Sequence, residues 1–406
     1  MKILHVNKFL YRRGGAEAYL FDLASLQQRA GHDVAFFGMS HPENDAMPLA
    51  DLFPSHVELD PPPSGLASKV KGAARMFYSA SARRGLAAAL ETVQPDVVHL
   101  HNIYHQLSPS VLRPLKDIPA LMTLHDYKLV CPTYLFLDHG KVCEACLGGH
   151  FTQAVRRRCA DGSLAKSALL AAESTFQSAT RAYDPIDVFA CPSRFLLGKI
   201  AAGGVFPDRL HQLPLFIDVA GITPVDAPGA DAIYVGRLSE EKGPDVLIRA
   251  AALAGVAVDI VGDGPERAAL EALATQLGAR VRFHGRLPRA EVLAKMRAAA
   301  VTVVPSRCYE NQPLAVLESF ACGVPVIGSD LGGISELVEP GVDGALVAAD
   351  DPQSLADALT SMLGDRAVLS ELGRAGRRKV EQQFGAERHL AGLEALYAVA
   401  GAPATT

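Results

Sequence analysis

Short apolar runs alternate with longer stretches of helical period along the whole chain. The runs that read as strands fall at 2–7, 33–38, 96–101, 120–125 and 187–192, and then at 232–236, 258–262, 281–285, 301–305, 325–329 and 344–347. Helices are predicted at 15–30, 72–92, 108–116 and 163–182, with more between the later strands. This alternation is the pattern of βαβ units and parallel sheets. It runs twice, on either side of a Pro- and Gly-rich stretch at 214–231. The fold class expected is therefore α/β, with two Rossmann-like domains whose parallel sheets face a central cleft.

One stretch, 304–338, carries the densest chemistry. Val301–Pro305 reads as a strand. Asn311 stands where a helix N-cap is expected, and Pro313 suits a first turn because its missing N–H is not needed there. The helix is expected to reach about Ala321 and to stop at Gly323, a residue type that tolerates a left-handed C-cap. Pro325–Ser329 is the next strand, and Gly332-Gly333 opens another turn before a short helix. A helix start at the carboxyl end of a strand is an anion site. Glu310 and Glu318 bracket that start. Carboxylates repel phosphate, so sugar hydroxyls are their expected partners.

Composition narrows the class. The chain has 406 residues, 49% of them hydrophobic and 20% charged, which describes a globular protein of two or three domains. No run approaches the ~18 apolar residues of a membrane helix. The N-terminus reads as a strand rather than a signal peptide, so residence in the cytoplasm is expected. Residues 1–218 carry 22 Lys+Arg and 20 Asp+Glu against 17 and 24 in the remainder, and neither half is basic enough for nucleic acid.

Glu310 and Glu318 with seven residues between them resemble the Glu-x7-Glu signature of the family-4 retaining glycosyltransferases, which have the GT-B fold. The family usually reads Glu-Gly-Phe-Gly after the first Glu, and this chain reads Glu-Asn-Gln-Pro. The resemblance implies that Glu310 holds hydroxyls of a donor sugar and Glu318 the nucleotide ribose, with Asn311, Gln312, Pro313 and Leu314 lining the donor site. Gly236-Arg237-Leu238 through Lys242-Gly243 is similar to a second family motif, and implies that Arg237 and Lys242 clamp the donor diphosphate. Fixed cations that meet the charge developing there are typically the largest catalytic term. Gly262 and Gly264 would let the backbone approach the nucleotide, and Arg286 and Leu287 stand where the family places the base. Gly14 and Gly15 open a helix as in the family, at the donor phosphate and acceptor side; the alternative is an ordinary tight turn. His125 ends a strand where the family has a histidine close to the donor sugar.

The resemblance covers nearly the whole chain. It implies a retaining transferase that moves a sugar from a UDP- or GDP-sugar to a glycan or lipid-linked acceptor, in surface polysaccharide or glycoconjugate synthesis. It implies catalysis without a metal, and no Asp-x-Asp stands at a strand end to hold one. The alternatives are a nucleotide-sugar epimerase and a non-catalytic nucleotide-sugar-binding protein of the same fold. The domains expected are 1–215 on the acceptor side, 216–383 on the donor side, and 384–406 as a helical segment crossing back.

Three features stand outside those motifs. Cys131, Cys143, Cys146 and Cys159, spaced C-x11-C-x2-C-x12-C, occupy a loop-like insertion at about 128–162. They suit a structural zinc, or are unliganded thiols or a disulfide. His99, His101, Asn102 and His105 follow a strand; the histidines could ligate a metal, but no acid or cysteine lies at local ligand spacing, and they read rather as acceptor-site or core residues. Residues 64–92 carry Lys69, Lys71, Arg75, Arg83 and Arg84 beside apolar side chains, as either a face that touches anionic lipid at the inner membrane surface or an ordinary solvated one.

Overall fold

Six short parallel strands form each of two sheets in the computed structural model, which describes residues 1–57 and 65–403. Residues 58–64 and 404–406 lie outside that description, and with them the first residue of the helix-prone span 64–92 and the last three of the segment 384–406. The first sheet is built from β1 (Lys2–Val6), β2 (Asp33–Phe37), β3 (Val97–Leu100) and β4 (Ala120–Thr123). A two-stranded hairpin, β5 (Leu137–Asp138) and β6 (Lys141–Val142), sits in the Cys-rich insertion, and β7 (Val188–Cys191) and β8 (Leu210–Gln212) complete the first sheet. Its order is β2-β1-β3-β4-β7-β8. The second sheet holds β9 (Ala232–Val235), β10 (Val258–Val261), β11 (Val281–Gly285), β12 (Val301–Val304), β13 (Val326–Ser329) and β14 (Gly344–Val347). Its order is β11-β10-β9-β12-β13-β14. Both orders reverse direction beside their first strand, and ligands of open parallel sheets bind in the crevice at such a reversal.

The strand pattern read from the sequence is present throughout, with β8 and the β5–β6 hairpin too short to show as apolar runs. Two helical expectations are corrected. The single helix at 72–92 is two helices, Leu66–Phe77 and Ala80–Val93. Tyr78 between them is extended, and the Ser79 side chain caps the second helix by accepting from Ala82 N. The Ser79 N–H donates to Ser108 Oγ at 3.1 Å and Ser110 Oγ at 3.0 Å, so a neighbouring loop holds the break. The segment 108–116 is a 3-10 helix over Pro109–Leu115 rather than an α-helix. Pro114 inside it has no N–H to give an α-helical ladder.

The basic face expected along 64–92 is also smaller than the sequence suggests. Lys69, Lys71, Arg83 and Arg84 are exposed, but Arg75 turns inward, donating from Nε to the Gln106 carbonyl at 2.9 Å. Among the described residues no helix is long and apolar enough to cross a membrane.

The chain passes between the sheets twice. Ile217 N donates to the Phe384 carbonyl at 2.9 Å, which ties the outgoing and returning segments together. The last helix, Ala386–Val399, then lies on the first sheet, not the second. Its Leu393, Leu396 and Tyr397 are buried with Ile3, Tyr19, Leu121 and Val188. His32 Nε2 meets Glu394 at 2.8 Å at the edge of this contact.

Candidate active site

β12 ends at Val304, and the loop that follows carries the carboxylate on which the site turns. Glu310 Oε1 accepts from Lys242 Nζ at 2.6 Å and from Ser306 Oγ at 2.7 Å. Burial by itself would raise the Glu310 carboxyl. The Lys242 charge and the two hydrogen bonds outweigh it and hold the group below its ordinary value of 4.5. Burial pulls the Lys242 ammonium down, and the Glu310 charge more than reverses that. Both groups are therefore ionised at neutral pH. Lys242 ends the short turn Glu240–Lys242, in the loop after β9. Arg237, in the same loop, is exposed, and its carbonyl accepts from Tyr234 OH at 2.7 Å.

A Cβ on Gly262, whose φ is +135°, would stand 1.9 Å from the Gly236 carbonyl oxygen, and one on Gly264 would stand 2.2 Å from that of Leu238. These glycines let the loop after β10 pack closely on the loop after β9. Leu287 packs into the core beside Val304 and Leu317, and Arg286 is exposed. Gly14 and Gly15 begin the helix Gly15–Arg29 of the first domain. A Cβ on Gly15 would touch Leu314 Cδ1 at 3.7 Å, so this helix start faces the start of Leu314–Ala321 across the cleft.

Asn311 is not the N-cap. Pro313 holds that position without a side-chain cap, and the helix begins at Leu314. The Asn311 side chain instead crosses to the first domain, donating to the Leu124 carbonyl at 2.9 Å and accepting from Ser193 Oγ at 2.9 Å. Gln312 is bonded to Leu215 through both amide groups, at 2.8 and 3.2 Å. Both side chains, expected in the donor site, are struts between the domains. What the loop offers a ligand is the backbone at the helix start, whose first N–H groups have no partner within the helix. The expected stop is present: the chain leaves the helix at Gly323 with φ +75°.

Glu318 lies inside that helix and is raised by burial, with Arg289 offsetting part of the effect. Arg289 Nε is 3.4 Å from Glu318 and its Nη1 is 3.8 Å from Asp22 of the first domain. A second strut comes from Glu336, whose carboxylate accepts from the N–H groups of Arg194 and Phe195 at the start of the first-domain helix Arg194–Ala202. A carboxylate is favoured at that positive helix end. Ser306, Arg289, Asp22 and Glu336 were not singled out in the sequence. Their partners are distant in the chain or lie inside a loop, and no spacing signals them.

His125 follows β4 and is half-buried beside the cleft. Its Nε2 is 3.1 Å from His101 Nδ1, and burial lowers the ring to about 4. A small cavity runs beside it, lined by Asn102, Tyr104, His125, Asp126 and Lys128. His99 and His101 are fully buried, while His105 pairs with Glu173, which also holds Lys128 at 2.9 Å.

The four clustered cysteines are free thiols, with Cys131 and Cys146 buried. Burial raises Cys146, and the proximity of Cys131, Cys159 and Cys143 adds to it, so the fold gathers all four into one lobe. The donor set is that of a structural zinc, but the sulfurs are not drawn to ligand spacing. Among the described residues, the only three or more such ligand atoms within 4.8 Å of one another belong to His5, His99 and His101. The lobe also reaches the active-site loop: Glu144 accepts from Tyr309 OH at 2.6 Å and from Lys199 Nζ at 2.6 Å.

Residues 13–220 match the family Glycosyltransferase Family 4, and residues 223–379 match Glycosyl transferases group 1. The chain belongs to glycosyltransferase family 4. Among curated relatives, D-inositol 3-phosphate glycosyltransferase 1 of Catenulispora acidiphila is 28% identical over 329 residues, 74% of this chain and 72% of that one. The D-inositol 3-phosphate glycosyltransferase of Acidothermus cellulolyticus is 32% identical over 52% of this chain and 54% of that one. A Corynebacterium glutamicum protein named as a GDP-mannose-dependent phosphatidylinositol monomannoside mannosyltransferase is 31% identical over 52% of this chain and 62% of its own. Several of these matches thus span little more than half of the relative.

Among solved structures, sucrose-phosphate synthase from Thermosynechococcus elongatus superposes with a TM-score of 0.74 at 21% identity, covering 98% of both chains. Anabaena HepE in complex with UDP and glucose gives 0.66 at 20% identity, covering 98% of this chain and 99% of that one. The two-sheet fold is therefore GT-B. Family membership makes the chain a glycosyltransferase of the group 1 type, and the Lys242–Glu310 pair lies within the second matched region.

The pair has a testable pH signature. A carboxyl held low in the folded state adds stability above about pH 4.5 that is lost as pH falls through its folded value. In Lys242→Met burial dominates, the Glu310 carboxyl moves above 4.5, and stability is instead lost as pH rises past that value. Urea unfolding from pH 4 to 7 is expected to show this change of slope, with a loss of about 1–3 kcal/mol at neutral pH. Parallel curves for the two proteins would contradict it.

Proposed function

We propose that this glycosyltransferase moves a sugar, with retention of anomeric configuration, from a UDP- or GDP-sugar to a glycan or lipid-linked acceptor in surface polysaccharide or glycoconjugate synthesis. The observation that carries the proposal is the ionised Lys242–Glu310 pair beside a helix start at the seam of the two domains. Lys242 with Arg237 would bind the donor diphosphate, and these cations supply charge that a divalent ion would otherwise bring. The Glu310 oxygen not engaged by Lys242 and Ser306 would take a hydroxyl of the donor sugar.

In this mechanism the bond from the anomeric carbon to the phosphate oxygen breaks as the acceptor hydroxyl oxygen attacks from the same face. The acceptor's proton passes to the departing phosphate oxygen. Glu310 positions the sugar and is not a covalent nucleophile. The struts from Asn311, Gln312 and Glu336 keep the domains together over the reacting atoms, which limits attack by water. Relatives named for GDP-mannose and for inositol phosphate, and a structural neighbour that binds UDP-glucose, support a nucleotide-sugar donor while differing on the nucleotide.

Glu310→Gln is expected to lower kcat by about 10²-fold or more while changing affinity for the nucleoside diphosphate less than about threefold. Equal losses in both would remove the hydroxyl-binding role. Conversion of the donor nucleotide-sugar to its epimer with no acceptor present would favour an epimerase instead.

We also propose that the lobe of Cys131, Cys143, Cys146 and Cys159 binds one zinc, which would draw the gathered sulfurs to tetrahedral spacing. Metal analysis of the purified protein is expected to give about one zinc per chain. A folded, zinc-free protein that takes up none when zinc is added would reject this.

A further inference from the structure

A hydrogen-bonded chain crosses the first domain from Thr123 to His125 by way of the terminal helix. Beside it, His389 Nδ1 is 2.7 Å from the Pro214 carbonyl and His389 Nε2 is 3.0 Å from Tyr19 OH. Thr123 Oγ1 is 2.8 Å from His99 Nε2, and His99 Nδ1 is 2.7 Å from Tyr397 OH. Gln27 Nε2 donates to Tyr397 OH at 2.9 Å, and Gln27 Oε1 is 2.7 Å from His5 Nε2. His5 Nδ1 is 3.1 Å from His101 Nε2, and His101 Nδ1 is 3.1 Å from His125 Nε2.

Tyr397 accepts from the Gln27 amide N–H, so its own proton goes to His99 Nδ1, and His99 donates from Nε2 to Thr123. The same placement turns the Gln27 carbonyl toward His5, and a carbonyl only accepts. His5 therefore carries its proton on Nε2, His101 on Nε2, and His125 on Nε2. Apart from this chain, the Pro214 carbonyl sets the His389 proton on Nδ1, so Tyr19 donates to His389 Nε2. Extra protons do not enter the chain at neutral pH: burial lowers His5 and His125 to about 4 and holds His99 and His101 well below their ordinary value.

We infer that this chain locks His125 in the Nε2–H tautomer and leaves its Nδ1 a bare acceptor on the accessible side, with Gln27 and Tyr397 as positioning residues. His125 is half-buried, and its Nδ1 is not among the buried polar atoms without a partner. A ligand hydroxyl that meets the ring must then donate to it. That last step rests on the proposed seat of the donor sugar beside His125, whereas the tautomer does not. The same accounting removes His5, His99 and His101 as a metal site, because both ring nitrogens of each are already engaged. It also gives the terminal helix a chemical task, since Tyr397 lies on it.

The test is a two-bond 1H–15N correlation spectrum of the full chain with 15N-labelled histidine rings at neutral pH, which reads the protonation of each ring nitrogen. His125 is assigned by its loss in His125→Asn. The expected spectrum has His125, His101 and His5 protonated on Nε2 and His389 on Nδ1. An Nδ1–H signal for His125 overturns the inference, whatever the enzyme's substrate. In Gln27→Leu, His125 is expected to show both tautomers while His389 keeps Nδ1–H, and an unchanged His125 would remove Gln27 from its role. Tyr397→Phe offers a second break that keeps the buried ring: His99 is expected to lose its single tautomer, and a His99 signal like that of the wild type would remove Tyr397.

Discussion

A carboxylate buried at the start of a helix needs a cation, and most of the site's architecture follows from giving Glu310 one. Lys242 reaches it from the loop after β9 and Ser306 from the loop after β12, so two neighbouring strands of the second sheet must end at the same height. The loop after β9 packs on the loop after β10 only because Gly262 and Gly264 put no side chain between the backbones, and on the loop after β12 only because Gly243 does the same. Burying the pair costs desolvation on both sides, and the hydrogen bonds and mutual attraction return it only when the geometry is held.

The first domain supplies much of that hold. Asn311 and Gln312, adjacent to Glu310, bond to Leu124, Ser193 and Leu215, and Tyr127 OH donates to the Glu310 carbonyl at 3.4 Å. Glu336 caps a helix of the opposite domain, and Arg289 links Glu318 to Asp22. A Cβ on Gly333 would meet the Asn311 carbonyl oxygen at 1.5 Å, so the turn behind the loop must also be bare. The site is therefore made by the seam. The terminal helix, buried on the first sheet, keeps the seam shut from behind.

Much of this was legible in the sequence. Apolar runs marked the strands of both sheets, because parallel strands are buried on both faces and need no partner information to be recognised. Glu310, Glu318 and Lys242 stood out through spacing and resemblance, and the structure brings Lys242 and Glu310 into contact. What failed was what depends on contacts distant in sequence. Asn311 looked like a cap because it precedes a helix, but its partners are more than a hundred residues away. That Gly262 and Gly264 are also required by the packing of a neighbouring loop had no signal in the sequence. The break at Tyr78–Ser79 depends on serines 29 and 31 residues further on. Histidines spread from position 5 to 125 join one chain only once the sheet and Tyr397 of the terminal helix have met.

The most direct test is a crystal structure with whichever of UDP or GDP raises the melting temperature of the chain. The account predicts the diphosphate between Lys242 and the first turn of Leu314–Ala321, with Glu318 on the ribose and Glu310 left facing the space where a sugar would sit. A nucleotide bound elsewhere, with Lys242 and Glu310 untouched by it, would contradict it.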